Sequence, residues 1–303
     1  MSESSGGTPR LSAFSIVKNA RIYDYPIEAA LRSVLPLVDE LLVNVGRSDD
    51  DTLEIVRGID DPRIRIVERD WGAERDRTTG VHSEETNFVM DRCSNDWALY
   101  IQADEVLHEE DYEALRAALR RAASRPEVEG LVFDYVHFYG SPDWWLWGRR
   151  WYRREVRVVR RSSGVRSRAG AQGFKVPPKY RPVAAIPARA RIFHYGYAKT
   201  LDALKARRRL WARYWSGNEE EWGRWEFTHP RELLPFTGTH PGTVRDWIGS
   251  REWPYRPDDY DRPGWSWDEF RNWVSDRVEG ATGWRPVEHR NYALLPRPGT
   301  DPE

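Results

Sequence analysis

The sequence predicts an α/β fold built on a mostly parallel central sheet. Between residues 11 and 123, short apolar runs alternate with stretches of helical periodicity, which is the order expected of parallel strands joined by right-handed crossovers. The run 97–101 is apolar throughout, as in a strand covered on both faces, and Asp104 and Glu105 follow close behind it. Both observations favour a wound sheet with a polar carboxyl edge.

Each element follows from its local pattern. Apolar runs predict the strands, which are 11–17, 40–45, 64–68, 97–103, 131–139, 156–160 and 189–194. Helical spacing predicts the helices, which are 26–35, 51–58, 84–93, 111–123 and 201–215. The later strands extend the same sheet with mixed polarity. Residues 162–188 are rich in Gly, Arg, Pro and Ser, so we expect a mobile loop near a site.

A chain of 303 residues has ample length for a real core. We expect three parts. Residues 1–10 form a disordered lead, residues 11–199 form the α/β domain, and residues 200–303 form a Trp-rich, mainly helical or irregular extension packed on it. No internal repeat is visible.

Composition narrows the class of protein. The 47 basic and 48 acidic residues give a net charge of −1, so there is no overall field to attract nucleic acid. Cys93 is the only cysteine, which excludes an internal disulfide and a multi-cysteine zinc site. No apolar run reaches the roughly 18 residues of a transmembrane helix, and we expect a cytoplasmic protein. Peripheral membrane contact through an Arg- and Trp-rich surface stays open.

Two interpretations of Asp104 and Glu105 are open at this point. Carboxylates at the carboxyl end of a buried strand can bind a cation that itself holds phosphates. Alternatively, these acids and those that follow them favour the positive end of the next helix. The nine residues 97–105 alone do not decide between the two.

Several motifs in order resemble those of family-two glycosyltransferases with the GT-A fold. SIVKNA at 15–20 is similar to their first strand and turn, and VNVGRSDDDT at 43–52 is similar to their second strand and its turn. The segment 80–105 resembles the helix and strand that end in their D-x-D motif. FYG at 138–140, WYRREVR at 151–157 and FHYGY at 193–197 resemble one bacterial branch. The resemblance spans about residues 12–199 and implies a GT-A fold.

The resemblance also implies a divalent cation, Mn²⁺ or Mg²⁺, held by Asp104 and bridging a donor diphosphate. Here the D-x-D motif has become QADE at 102–105, so an amide, Gln102, stands at one acidic position. Glu105 is the candidate to replace it, directly or through water. His194 is implied as a further ligand of the metal or the phosphate, although it can equally pack among the aromatic residues around it.

Residues that would contact the nucleotide sugar are implied by position. The first two strand-to-helix turns, the helix before the motif and the motif itself supply Lys18, Asn19, Ser48, Asp50, Asp51, Glu84, Asn87 and Gln102. Ordinary helix capping is the alternative for the turn residues. For Glu84 the alternative is that its negative charge only stabilises the start of the predicted helix 84–93.

An inverting transfer needs a general base for the acceptor hydroxyl, and Glu155 and Asp134 are the candidates. Glu155 lies among arginines and can simply form an ion pair. Asp134 can face solvent instead. The tryptophans between 144 and 151 can stack on a sugar ring, but we expect them to pack in the core.

The sequence therefore predicts a metal-dependent glycosyltransferase that moves a sugar from a nucleotide-sugar donor to a saccharide or glycoconjugate acceptor, with inversion. A sugar-phosphate nucleotidyltransferase is disfavoured because SIVKNARIYDY has no Gly-rich phosphate loop. A catalytically silent GT-A-like module that binds a glycan or a protein is the remaining alternative.

Overall fold

The computed structural model describes residues 8–72, 80–148, 151–168, 170–215, 226–262, 264–283 and 291–296. The predicted lead falls mostly on residues 1–7, which lie outside the described residues. The strands are β1 Leu11–Val17, β2 Glu40–Gly46, β3 Ile64–Arg69, β4 Trp97–Tyr100, β5 Glu105–Leu107, β6 Gly130–Tyr139, β7 Ser141–Leu146, β8 Arg154–Arg160, β9 Arg166–Ser167, β10 Phe174–Lys175, β11 Val183–Tyr197, β12 Leu233–Pro235 and β13 Tyr292–Leu294.

The helices within this part of the chain are fewer than the strands. They are α1 Ile27–Val34, α2 Thr52–Arg57, α3 Val81–Met90, α4 Tyr112–Ala123, α5 Leu201–Trp215, α6 Arg245–Gly249 and α7 Trp267–Thr282. No helix of the described chain is long and apolar enough to cross a bilayer.

One large sheet organises the molecule, with strand order β12-β7-β6-β8-β4-β1-β2-β3 and β11 alongside β6. The strands β3, β2, β1 and β4 are parallel, and β8 is antiparallel to both β4 and β6. Strand β11 runs parallel to β6 and antiparallel to β5. The predicted α/β class, with a parallel centre and mixed polarity beyond it, is confirmed, and its GT-A assignment stays a prediction.

The core lies on both faces of this sheet. One apolar cluster joins β1 and β2 to α1 and α4, and it includes Leu31, Leu41 and Leu119. A second lies on the opposite face, where Phe14 and Tyr100 stack with their ring centroids 5.2 Å apart beneath α3 and β10. Continuous apolar strands such as β1 and β4 are therefore covered on both sides, as their sequences predict.

The prediction of a loop over residues 162–188 is wrong in part. It contains the short antiparallel pair β9–β10, and its last residues belong to β11, which begins at Val183. The prediction failed because Ala, Arg and Pro dominate this stretch and hide the strand alternation. The predicted strand 97–103 ends earlier, at Tyr100, and six short strands, β5, β7, β9, β10, β12 and β13, were not predicted.

Candidate active site

Asp104 and His194 meet where β4, β5 and β11 converge. Asp104 lies between β4 and β5, and its carbonyl accepts a hydrogen bond from Tyr195 N–H of β11 at 2.8 Å. This bond places Oδ2 of Asp104 3.5 Å from Nε2 of His194. Two predicted metal ligands that are far apart in sequence are thus brought together.

A chain of hydrogen bonds fixes the orientation of His194. Nε2 of His137 lies 2.7 Å from the carbonyl oxygen of Tyr152, which can only accept, so this nitrogen carries a proton. Burial, reinforced by the neighbouring His194, lowers the pKa of His137 well below its usual value, so its Nδ1 is an acceptor. Nδ1 of His194, 2.9 Å away, must therefore donate. This contact holds the ring so that Nε2 of His194 faces Asp104.

Positive side chains surround Asp104. Nη1 of Arg207 lies 3.9 Å from its Oδ2. Burial alone would raise the pKa of Asp104, but His194, Lys199 and Arg207 outweigh it and hold that pKa well below the usual range. Burial in turn lowers the pKa of Lys199 to about 7, although Asp104 opposes this shift. The positive groups around Asp104 outnumber this carboxylate, so the region favours an anionic ligand.

The site fits a divalent cation that shares its coordination with a ligand. Two adjacent ligands of an octahedral Mg²⁺ lie about 3 Å apart, so Asp104 and His194 need little movement to share one ion. Gly196 also leaves room, because a Cβ there would lie 2.5 Å and 2.6 Å from His194 ring atoms and 3.0 Å from Oδ2 of Asp104. Within the described ranges no group of three or more His, Cys, Asp or Glu side chains forms a metal site. Two protein ligands suit an ion that completes its shell with phosphates and water.

Glu105 is engaged elsewhere, and we no longer count it as a metal ligand. Both of its oxygens accept from the Arg157 guanidinium, at 2.9 Å and 2.7 Å, with both side chains wholly buried. The hydroxyl of Tyr135 and the backbone N–H of Gln102 also donate to it, at 2.7 Å and 3.1 Å. Glu105 is therefore the internal counter-ion of Arg157. Gln102 itself donates from its amide to the carbonyl of Ala171 at 3.0 Å.

The turns after β1 and β2 are tied to each other. Asn19, which has a left-handed backbone with φ of 55°, donates its N–H to Oγ of Ser48 at 3.0 Å. Asp50 accepts from Ile22 N–H at 2.9 Å, and Asp51 pairs with Arg21 at 2.5 Å. Ser48 and Asp50 thus accept from backbone N–H groups, as the alternative expects, whereas Asp51 makes no side-chain capping bond to α2. The nucleotide contacts of these residues stay a prediction.

A cleft of about 390 Å³ opens beside the second turn, at the carboxyl ends of β2 and β3. Arg47, Ser48 and Asp50 line it together with Glu68 and Arg69. Lys18 packs against Gly46, one of the lining residues, since a Cβ at Gly46 would stand 3.2 Å from Cβ of Lys18. This edge of a parallel sheet is where ligands collect in such folds.

The two predicted residues of α3 have separate surroundings. Asn87 exchanges hydrogen bonds with the backbone of Ser167, at 3.0 Å and 2.9 Å, and so supports β9. Glu84 is exposed, whereas its neighbour Glu85 is buried and accepts from Asn44 at 2.9 Å and from Arg69 at 2.7 Å. Sequence reasoning missed Glu85. Its position four residues after Val81, on the buried face of α3, was the available signal.

The geometry supports neither predicted general base. Asp134 lies on the face of β6 opposite to Tyr135, is 54% exposed and pairs with Arg154 at 2.6 Å. Glu155 is enclosed, because a Cβ at Gly173 would lie 2.6 Å from its carboxyl carbon. Burial raises the pKa of Glu155, and Asn291 donates to it at 2.7 Å. The neighbouring arginines, which we expected to pair with Glu155, form ion pairs with other residues. Arg153 pairs with Glu279, Arg154 with Asp134 and Arg157 with Glu105.

Trp144, Trp145 and Trp151 pack in aromatic clusters rather than form an open platform. Trp151 stacks on Tyr197 with ring centroids 4.5 Å apart, and Trp144 packs against the same aromatic cluster. Trp145 packs against a neighbouring cluster that contains Phe138 and Tyr195. The expectation of structural packing is confirmed for these three.

Comparison with known proteins gives partial matches. No family model matches the chain. It is similar to an uncharacterized glycosyltransferase of Rickettsia conorii, 31% identical over 103 residues, which is 34% of this chain and 32% of that protein. A similarly named protein of Rickettsia felis is 32% identical over 101 residues, covering 33% of this chain and 31% of the relative. The chain thus spans about one third of the length of the curated relatives it matches.

Solved structures give weaker matches. One is TarS of S. aureus in complex with UDP-GlcNAc, with a TM-score of 0.31, 16% identity and coverage of 43% of this chain and 34% of that one. Another is glucosyl-3-phosphoglycerate synthase of Mycobacterium tuberculosis in complex with Mn²⁺, UDP and glucosyl-3-phosphoglycerate, with a TM-score of 0.31, 23% identity and coverage of 43% and 44%.

Proposed function

We propose that this chain is a glycosyltransferase that uses a nucleotide-sugar donor and a divalent cation, Mn²⁺ or Mg²⁺. The observation that carries the proposal is the approach of Nε2 of His194 to within 3.5 Å of Oδ2 of Asp104, while Nδ1 of His194 is engaged by His137. An imidazole nitrogen and a carboxylate oxygen at this separation can share one cation. The partial similarity to named glycosyltransferases supports the reaction class.

The cation would be held by Asp104 and His194, where it would neutralise the charge that develops on the nucleotide diphosphate as the sugar leaves. Arg207 adds a fixed positive charge beside the same position, and its guanidinium lies 4.5 Å above the ring of Tyr197. Lys199 is a second positive group when protonated. His137 orients His194 through their shared hydrogen bond, so that Nε2 of His194 faces the site.

We place the nucleotide along the carboxyl edge of β1, β2 and β3. Ser48 and Asp50 line the cleft there, Lys18 and Asn19 lie on the adjoining turn, and Asp51 is held beside them by Arg21. We assign no base contact to Glu84, Asn87 or Gln102. A saccharide or glycoconjugate acceptor, inversion at the anomeric carbon and a cytoplasmic location belong to the same proposal.

The test is calorimetric titration of UDP, GDP, CDP and dTDP and their sugars, with and without Mn²⁺. We expect one nucleotide class to bind in a Mn²⁺-dependent manner, and Asp104→Asn to weaken that binding at least about 100-fold, because a ligand and the charge that positions His194 are both lost. Asp134→Asn is the matched control, since Asp134 is a solvent-facing partner of Arg154, and should bind like the wild type. Metal-independent binding would contradict the proposed site. Absence of any nucleotide binding by folded protein would favour the silent glycan- or protein-binding module.

A further inference from the structure

Helix α7 and the residues just before it carry an aromatic surface that faces outward. Within the described chain nine large apolar side chains are exposed, and five of them lie between residues 265 and 274. We call these five the aromatic face: Trp265, Trp267, Phe270, Trp273 and Val274. Trp267 is the most exposed of them, at 74%. Single exposed apolar side chains are ordinary, but a group of this kind indicates an interaction surface.

The rings of the aromatic face form one continuous surface. The Phe270 ring lies at its centre, with its centroid 6.0 Å from that of Trp267, 6.2 Å from that of Trp273 and 6.4 Å from that of Trp265. Trp265 also meets Trp273 directly, at 6.1 Å. Because the rings contact each other and each stays exposed, they leave contiguous apolar area in water, which is unfavourable.

The acidic side of α7, rather than its aromatic side, faces the rest of the molecule. Four members of the aromatic face lie on α7, within an arc of about 120° on a helix of ~3.6 residues per turn. Away from this arc Ser275 is buried, and the side chains of Asp276 and Glu279 are 6% and 16% exposed. Arg153, just before β8, pairs with Glu279 at 2.7 Å and lies 3.9 Å from Asp276. The helix is thus anchored by its acids and turns its aromatic side outward.

Arginines accompany the aromatic face. Arg271 and Arg277 are exposed on α7, and the Arg277 guanidinium lies 5.0 Å from the ring centroid of Trp273. The guanidinium of Arg231, before β12, lies 4.6 Å from the ring centroid of Trp265. Among the acids of α7, all of which are described, Asp268 alone is exposed, and it pairs with Arg271 at 3.0 Å. The outward side of α7 is therefore aromatic and weakly cationic.

This combination favours a membrane surface over other occupants. Trp and Phe side chains are favoured at the boundary between lipid headgroups and acyl chains, and arginines are attracted to anionic headgroups. A second copy of this chain would present the same excess of arginine, whereas lipid headgroups supply an anionic partner for each one. The charge and the aromatic composition of the face thus both match an anionic bilayer.

We propose that the aromatic face attaches the protein to an anionic membrane surface. Helix α7 lies parallel to that surface, with Trp267 and Phe270 inserted among the headgroups and Arg271 and Arg277 bound to lipid phosphates. This attachment does not rest on the proposed transferase function, because none of these side chains belongs to the site around Asp104.

The test is co-sedimentation with sucrose-loaded vesicles of equimolar phosphatidylcholine and phosphatidylglycerol, and with vesicles of phosphatidylcholine alone. We expect the wild type to bind the anionic vesicles. Trp267→Ala should lower the partition coefficient at least about five-fold, because a large apolar side chain is lost from the interface. Arg277→Gln should lower binding to the anionic vesicles about five-fold, the effect of one basic residue near an anionic surface, and leave binding to phosphatidylcholine unchanged.

Two variants are matched controls. Tyr180→Ala removes a ring that is 40% exposed outside the aromatic face, and Arg57→Gln makes on α2 the charge change that Arg277→Gln makes on α7. Both should bind vesicles as the wild type does. Asp104→Asn should also bind them normally while losing Mn²⁺-dependent nucleotide binding, which separates this surface from the transferase site.

The proposal is overturned if the wild type binds neither kind of vesicle, or if Trp267→Ala binds the anionic vesicles as tightly as the wild type. Because Trp267 is largely exposed, this variant should unfold at the same urea concentration as the wild type, so a loss of binding reports the surface itself. Self-association that Trp267→Ala abolishes, in a protein that binds no vesicles, would assign the aromatic face to a second copy instead.

Discussion

At the scale of single residues, Asp104 and Glu105 are adjacent in sequence yet have different tasks. Asp104 turns towards His194, Lys199 and Arg207, where we propose that a cation and a diphosphate bind. Glu105 begins β5 and turns into the sheet, where it neutralises the fully buried Arg157. The first is proposed as a ligand and the second stabilises the fold beneath it.

The buried pair gives a stability prediction. Glu105→Gln leaves the guanidinium of Arg157 buried without a counter-charge, so we expect the free energy of unfolding to fall by about 3–5 kcal/mol. Urea denaturation monitored by tryptophan fluorescence measures this change. Glu68→Gln is the matched control, because Glu68 pairs with Arg57 at 2.5 Å with both side chains more than half exposed, and should lower stability by less than about 1 kcal/mol. Equal effects in the two variants would contradict the assigned role of Glu105.

The sequence could identify this pair of acids but could not divide their roles. The partners that decide the matter, Arg157 and Tyr135, lie 52 and 30 residues from Glu105 in the chain. The sequence also cannot indicate that Arg157 is buried, because the segment 153–157 is rich in arginine. His194, by contrast, was predicted from its motif, and the structure brings it to Asp104.

At the scale of elements, strand β11 builds the site by means of an irregularity. Its register against β6 shifts between His194 and Tyr197, where three residues of β11 span two of β6. Gly196 lies in this bulge beside His194 and Asp104. Bulges of this kind re-aim side chains next to active sites.

The bulge gives a prediction about binding. The added methyl group of Gly196→Ala meets the His194 ring and Asp104, so we expect Mn²⁺-dependent nucleotide binding to weaken at least about ten-fold through displaced ligands. Gly280→Ala is the control, since a Cβ there meets nothing within 4 Å, and in α7 it should raise stability by up to about 1 kcal/mol without changing binding. Unaltered metal affinity in Gly196→Ala would argue against a cation between His194 and Asp104.

The long elements could be predicted from sequence because their apolar patterns are continuous. Strand β1 and helix α5 begin and end at the predicted residues. The short strands β5, β12 and β13 have three residues each, too few for a pattern to be recognised. Their pairing is decided by tertiary contacts instead, such as β13 against β11.

At the scale of the whole molecule, the described parts of the extension are tied to the α/β sheet by polar contacts across long sequence separations. Arg251 binds Asp24, Asn291 binds Glu155 and Arg153 binds Glu279. The first of these contacts ties the extension to the segment between β1 and α1, and the other two tie it to residues 153 and 155 around the start of β8. The division of the chain at residues 199 and 200 stays a prediction.

The central claim is that Asp104 and His194 together bind the cation that holds the donor diphosphate. Electron spin-echo measurements on Mn²⁺ with UDP bound to the wild-type protein test it most directly, because they detect an imidazole nitrogen coordinated to the metal. We predict such a nitrogen coupling in the wild type, its loss in His194→Gln, and weaker Mn²⁺ binding in Asp104→Asn. Failure of Mn²⁺ and UDP to bind, bound Mn²⁺ without nitrogen coupling, or coupling that persists in His194→Gln would contradict the account.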